Sequence, residues 1–393
     1  MAPIKNNIVA SLLLSGLAQP VAALEMTGDV AIEMRYFPGQ ALSSQQHGHN
    51  SSLSAEIEMV HEWDNGDQLI AFVPFARIDQ GDRERTHGDI RELNWLKVAD
   101  EWELRLGIRK VFWGVSESQH LVDIINQTDL VENSDGEDKL GQPMVNLALI
   151  RDWGTIDLFL LPYFRERTFP GVEGRLRLAT TIDQEHALYE SKYEQKHLDI
   201  ALRWSHYIGD WDLGVSYFDG TNRDPDFIFN GQQLQAYYRQ IQQLGLDLQA
   251  TKESWLWKLE AIQRRNHDDF YHAATAGFEY SFYGIFDSNT DLGVVVEYLY
   301  DNRDKYATTP FEDDLMLGLR LALNDEQSSE ALIGAVIDID GDANVYSIEA
   351  SRRLGDSWKA TLEGRLFQNI ESNDALYSYR QDDYLQLQLG YYF

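Results

Sequence analysis

The chain contains no cysteine. An exported protein of this composition is therefore not held together by disulfides, and its stability has to come from elsewhere. Basic residues are few: 33 Lys and Arg stand against 64 Asp and Glu, for a formal charge of −31. That balance excludes nucleic acid as a partner. Proline is scarce as well, with 9 in 393 residues. Beyond the N-terminal leader no run of 18 apolar residues occurs, so no transmembrane helix is expected. Histidines are present but scattered, and none falls in a defensible catalytic or metal-binding motif. His47 and His49 supply two ligands where a metal needs more, and His120 with Ser116 and Glu117 makes no triad without geometry. The expectation is therefore not an enzyme.

What is present begins with residues 1–23. Lys5 gives a positive start, Ile8 to Leu17 a short apolar core, and Val21-Ala22-Ala23 small residues for cleavage. This reads as a secretory signal peptide, with cleavage near Ala23. The remaining 24–393 would keep 393 − 23 = 370 residues. Loss of Lys5 brings the charge to −32, from −31 less one cation. Aromatics are abundant, with 20 Tyr, 17 Phe and 10 Trp beside a negative mean hydropathy of −0.40. A barrel with a polar lumen and an apolar outside combines these properties.

Period-two alternation recurs in about 18 segments from 28–37 to 381–393, among them 102–112 and 232–249. Leu315, Leu317, Leu319, Leu321 and Leu323 share one face, while Gly318, Arg320 and Ala322 share the other. The connections between segments fall into two classes. Even-numbered ones are short, such as Asp64-Asn65-Gly66, Ile208-Gly209-Asp210 and Gly355-Asp356. Odd-numbered ones are mostly long, including 38–51, 80–87, 113–143, 166–195 and 371–380. Connections 268–270, 340–343 and 283–289 depart from this rule. Tight turns on one side and long loops on the other, with an even strand count, predict an all-β transmembrane antiparallel up-and-down β-barrel of 16–18 strands. Trp63, Trp102, Trp204, Trp211, Trp255 and Trp358 lie at segment ends, where a barrel places its interfacial aromatics.

The last segment alternates Leu385, Leu387, Leu389, Tyr391 and Phe393 on one face and stops at Phe393. It resembles the C-terminal strand of Gram-negative outer-membrane barrels. That resemblance implies recognition by the barrel-assembly machinery and a place among outer-membrane lipids and lipopolysaccharide. Segment 113–143 follows the fifth strand and is the third outer loop, and its position resembles the inward-folding third loop of general porins. Trp113-Gly114 followed by Asp123-Ile124-Ile125-Asn126-Gln127-Thr128-Asp129 also resembles a pattern in alginate-export and other porin-like barrel families. Gln127 stands where that pattern carries proline.

A connection of this length is either disordered or functional. Leu121, Val122 and Ile125 are expected to pin it against the wall, with Asp123, Asn126 and Asp129 presenting oxygens into the bore. Trp113-Gly114 would let the chain turn off the rim. Polar strand faces carry Arg105, Arg109, Arg203, Arg320 and Arg365 together with Glu103, Asp199, Glu260, Glu297, Glu349 and Glu363. A lining of both signs suits charged solutes. The expected pore-lining and constriction set is Arg105, Arg109, Trp113, Glu117, Asp123, Asn126, Asp129, Arg203, Arg320 and Arg365. No cofactor is expected; calcium would need oxygens of Asp129, Glu132, Asp135, Glu137 and Asp138 to converge, and their spacing is not that of an EF-hand. Loop 166–195 reads as a solvated surface loop. The expected function is an outer-membrane channel for small polar or charged solutes, constricted by 113–143, as a monomer or homotrimer. The rivals are an export channel for an anionic polysaccharide with an inner-membrane partner, and a plugged barrel with a surface enzymatic or structural role.

Overall fold

A computed structural model of the chain describes residues 24–267, 269–304, 307 and 309–393. The expected leader at 1–23 lies outside the described residues. In chain order the strands are β1 (Leu24–Tyr36), β2 (His49–Trp63), β3 (Gln68–Asp79), β4 (His87–Ala99), β5 (Trp102–Arg109), β6 (Gln142–Arg151) and β7 (Gly154–Leu161). There follow β8 (Ile182–Tyr189), β9 (Asp199–Ile208), β10 (Trp211–Thr221), β11 (Asp226–Phe229), β12 (Leu234–Tyr238), β13 (Gln240–Lys252) and β14 (Trp255–Arg265). The last are β15 (Phe270–Phe282), β16 (Asp291–Asp301), β17 (Asp313–Ala322), β18 (Glu330–Asp338), β19 (Asn344–Leu354), β20 (Trp358–Gln368) and β21 (Tyr384–Tyr392). Among the described residues there is no α-helix.

Eighteen of these strands form one antiparallel sheet. Each pairs with its neighbour in sequence, with β7 passing to β9 and β10 to β13. β21 returns to β1 in a register running from Asp29 opposite Tyr392 to Tyr36 opposite Leu385. The ring is thereby closed, and no strand edge is left unpaired. Gly28 and Phe393 complete the seam by exchanging backbone hydrogen bonds at 3.1 and 3.0 Å.

Alternation sets the two faces of the wall. On β1, Ile32, Met34 and Tyr36 are exposed outward, while Ala31, Glu33 and Arg35 are buried inside. On β21, Leu385, Leu387, Leu389 and Tyr391 are exposed in the same way. An apolar band facing out and a charged face turned in is the pattern of a barrel whose outer solvent is lipid. The short connections are tight turns. Between β2 and β3, Asn65 and Gly66 both adopt positive φ, 59° and 92°, as hairpin turns of this kind require.

Above one rim β8, β11 and β12 form a small separate sheet, with β11 antiparallel and β8 parallel to β12. Sequence alternation runs 232–249 together as one segment, but the structure divides it. Asn230-Gly231 reverses the chain, with Gly231 at φ 102°, and pairs 234–238 with 226–229 outside the wall. The wall strand begins only at Gln240.

Candidate functional site

Segment 113–143 enters the bore because the inner wall is prepared for it. Trp113, Val122, Ile124 and Ile125 are buried against Phe159, Ala201, Phe218, Ile241 and Ile262, and Leu121 packs beside them. Those wall residues occupy inward positions, where a water-filled lumen would carry polar side chains. Trp113 meets Phe159 edge-on at 5.6 Å, and the Arg203 guanidinium lies 5.2 Å over its ring. Gly114 sits at φ +148°; a Cβ there would lie 2.8 Å from His120 Nδ1 and 3.1 Å from Glu260 Oε1. Only glycine permits that approach.

Two wall carboxylates hold the far end of the segment. Glu260 on β14 accepts backbone N–H groups from Val115 (2.7 Å), Ser116 (2.9 Å) and Val122 (3.2 Å). Glu297 on β16 accepts from Glu117 N (2.8 Å), Ser118 N (2.9 Å) and Ser118 Oγ (2.6 Å). Both glutamates are 0% exposed. A buried carboxylate survives only when such donors replace its water. Next to them Glu117 pairs with Arg320 on β17 at 2.6 Å and lies 3.6 Å from Lys258. β17 is nine wall strands on from β5, halfway around the ring of eighteen. The segment therefore reaches the wall opposite its own root.

Its return path is held just as closely. Glu132 makes a bidentate contact with Arg77 (2.7 and 3.0 Å), and Arg77 also meets Glu33 at 3.1 Å. Arg85 bridges Glu33 (2.7 Å) and Asp79 (2.9 Å) and donates to Val131 O. Asp135 reaches Arg365 on β20 at 3.2 Å. His120 lies between Glu137 (3.0 Å) and Glu260 (3.7 Å). Burial alone would lower its pKa, but the contact with Glu137 and the nearby charge of Glu260 raise it to about 10.

The expected site residues are divided by this arrangement. Glu117 meets Arg320, and Arg365 meets Asp135, as described. Arg105 pairs with Glu103 at 2.6 Å, Arg109 donates to Asn146 at 2.9 Å, and Arg203 makes two bonds to Asp247 at 2.6 and 2.7 Å; all three arginines remain partly water-facing on the β5–β9 wall. Asp123, Asn126 and Asp129 do not present free oxygens to the bore. Asn126 ties Val111 N, Arg109 O and Leu140 O together. Asp129 accepts from Arg91 (2.7 Å) and Thr168 (2.6 Å), and Asp123 from Trp113 N with Lys139 at 3.2 Å. Each is buried, because folding a long polar segment into a protein interior leaves donors that these oxygens must satisfy. Trp113 is likewise packing rather than lining. Among the described residues no three carboxylates or histidines converge to hold a metal ion. The Ser116 hydroxyl has no partner, so no Ser–His contact forms.

A second crossing was not legible. Loop 166–195, expected as a solvated surface loop, instead sends 168–176 over the mouth. Thr168 bonds to Asp129, Gly171 N to Asp82 (2.9 Å), and Arg175 to Asp382 at 2.6 Å. Arg175 also lies 4.7 Å over Phe37, and Leu176 is buried with Phe37, Phe367 and Tyr384. Asp224 is held well below the usual carboxylate range: Arg167 (2.7 Å) and Arg264 (3.1 Å) outweigh its burial. The only sequence signal for this crossing is the cluster Arg165, Arg167, Arg175 and Arg177; the first three find partners far along the chain, and Arg177 donates to nearby carbonyls of its own loop.

No family model and no curated protein matches the sequence. Among solved structures, a BenF-like porin from Pseudomonas fluorescens Pf-5 aligns over 95% of this chain and 98% of its own at 9% identity, with a TM-score of 0.58. Mutants of Rh. blastica porin align over 94% of this chain and 100% of theirs at 11% identity, with a TM-score of 0.46. At such identities the likeness is one of fold: this chain is a closed, porin-like β-barrel of eighteen antiparallel strands.

Proposed function

We propose that the protein is an outer-membrane channel for diffusion of small polar or charged solutes, narrowed by segment 113–143. The observation that carries this reading is the Glu117–Arg320 ion pair, which ties the segment to the strand opposite its root inside a closed ring. Eighteen strands enclose a bore wide enough for water, and a segment bound across it reduces the aperture without sealing every sector. Partly water-facing Arg105, Arg109 and Arg203 on one wall, with Glu279 and Glu349 on the other, give the bore the polarity that charged solutes need. The apolar outer face and the C-terminal strand ending at Phe393 support a place in the outer membrane.

The test is single-channel recording in planar bilayers with wild type beside the double variant Glu117→Ala/Glu297→Gln. The variant loses the Arg320 pair and weakens the backbone anchor. Steady wild-type conductance that rises in the variant supports a constricted channel. Conductance in the variant alone means a plugged barrel, and none in either protein sinks the channel reading.

A further inference from the structure

Segment 113–143 touches most of the wall but not all of it. Its anchors run from Arg77 and Arg91 on β3 and β4 to Glu260, Glu297 and Arg320 on β14–β17, and again to Arg365 on β20. Among the described residues, no hydrogen bond or ion pair joins it to β18 or β19. Burial gives independent support: none of the eleven residues of β19 is buried, whereas most inward positions on β13, β14 and β16 are closed off.

Register places small residues in this gap. Gly318 on β17 pairs with Gly334 on β18, Gly334 with Ser347 on β19, and Ser347 with Arg365 on β20. Gly318 and Gly334 are themselves buried, with the Met316 methyl over both, so at this height it is Ser347 on β19 that stays open to the bore. On one side the gap is bounded by Glu117–Arg320, and on the other by Asp135–Arg365. Three strand steps separate these pairs, roughly 14 Å between backbones before side chains are counted. The outer end of the gap is narrowed by Val345, which packs against the Leu176 cluster.

The charges around the gap are unequal. Arg320 and Arg365 each already face carboxylates from the segment and from the wall, Glu279 at 3.3 Å and Glu363 at 3.6 Å. Glu349, on the wall of the gap and 3.8 Å from Arg365, has a side chain 50% exposed, and Glu137, 3.0 Å from His120, one 54% exposed; against them stand Arg320 at 38% and Arg365 at 18%. The water in the gap therefore meets more carboxylate than cation. A low-dielectric wall strengthens that bias.

We propose that solutes pass the segment through this window, along the β19 wall at Ser347 and Glu349, and that the window favours cationic over anionic solutes of small cross-section. The inference rests on the channel reading above. It goes further by naming where the path runs, which residues set its width and which sign of solute it selects.

The chain has no cysteine, so Ser347→Cys introduces the only thiol. The experiment treats this variant, in bilayers and in vesicles, with a trimethylammonium or a sulfonate methanethiosulfonate reagent. Current and mass shift are both followed. Ser216→Cys, buried on the inward face of β10, is the control. The expected result is labelling of Ser347→Cys about tenfold faster with the cationic reagent, a fall in current by about half, and at least about tenfold slower labelling of the control. An unreactive Ser347→Cys, or labelling that leaves the current unchanged, overturns the window. Equal or faster reaction with the anionic reagent overturns its charge preference. If no protein passes current, the channel reading itself fails, and labelling at this position then reports only a water-filled recess.

Discussion

Three glutamates on the inner wall show how differently one residue type is used. Glu260 and Glu297 are sealed beneath segment 113–143 and spend their oxygens on its backbone N–H groups. Glu349 occupies the same kind of inward position on β19 and faces water. All three sit in cleanly alternating strands, so their local sequence environments do not distinguish them. The difference lies in what folds over them. A closed sector turns its carboxylates into structural acceptors, and an open sector leaves its carboxylate to water.

The sharpest way to break the closed side lies where its buried charges interlock. Arg85→Leu would strand Glu33 and Asp79 without their shared cation, at a cost of about 3–5 kcal/mol. Urea unfolding in detergent micelles should show the loss as a lower midpoint. Glu260→Ala should be next, removing the acceptor of three backbone donors for about 2–3 kcal/mol. Its effect should be local, appearing as faster hydrogen exchange and protease cleavage within 113–122 while the wall stays protected.

A pH titration sharpens the comparison further. The pKa of His120 is raised in the folded protein, from 6.5 to about 10. Its stabilisation of the segment is therefore complete below pH 6.5 and lost as pH rises through about 10. Hydrogen exchange in 113–122 should accelerate across that window, and His120→Gln should abolish the dependence. The smallest effect belongs to the open side. Glu349→Ala should change stability by no more than about 0.5 kcal/mol while shifting the reversal potential away from cation preference. A large loss of stability there would show that β19 is covered after all.

Much of the barrel is legible in the sequence itself. Alternation such as Leu315 to Leu323 marks a two-faced strand wherever it occurs, and turns such as Asp64-Asn65-Gly66 leave little choice of connection. The inward course of 113–143 was partly readable, since Leu121, Val122 and Ile125 needed an apolar surface. A further signal lay in the wall itself: Phe159, Phe218, Ile241 and Ile262 put apolar side chains at inward positions, and a segment had to cover them. The second crossing left no comparable trace. Arg175 and Asp382 are 207 positions apart, and nothing in the composition around either residue names the other. For the same reason Asp123, Asn126 and Asp129 looked like bore-facing oxygens. Short polar side chains in a long loop read as solvated until the donors they satisfy are known.

Strand number, closure and the two faces of the wall followed from period-two patterning and turn length, because these are local properties that a closed ring repeats around its circumference. Which inward charges meet water followed from contacts between residues more than a hundred positions apart. Whether a carboxylate on the wall becomes an anchor or stays in water depends on the cost of taking it out of water and on the donors brought to it. Those donors belong to a segment whose path across the bore is set only when the ring has closed around it.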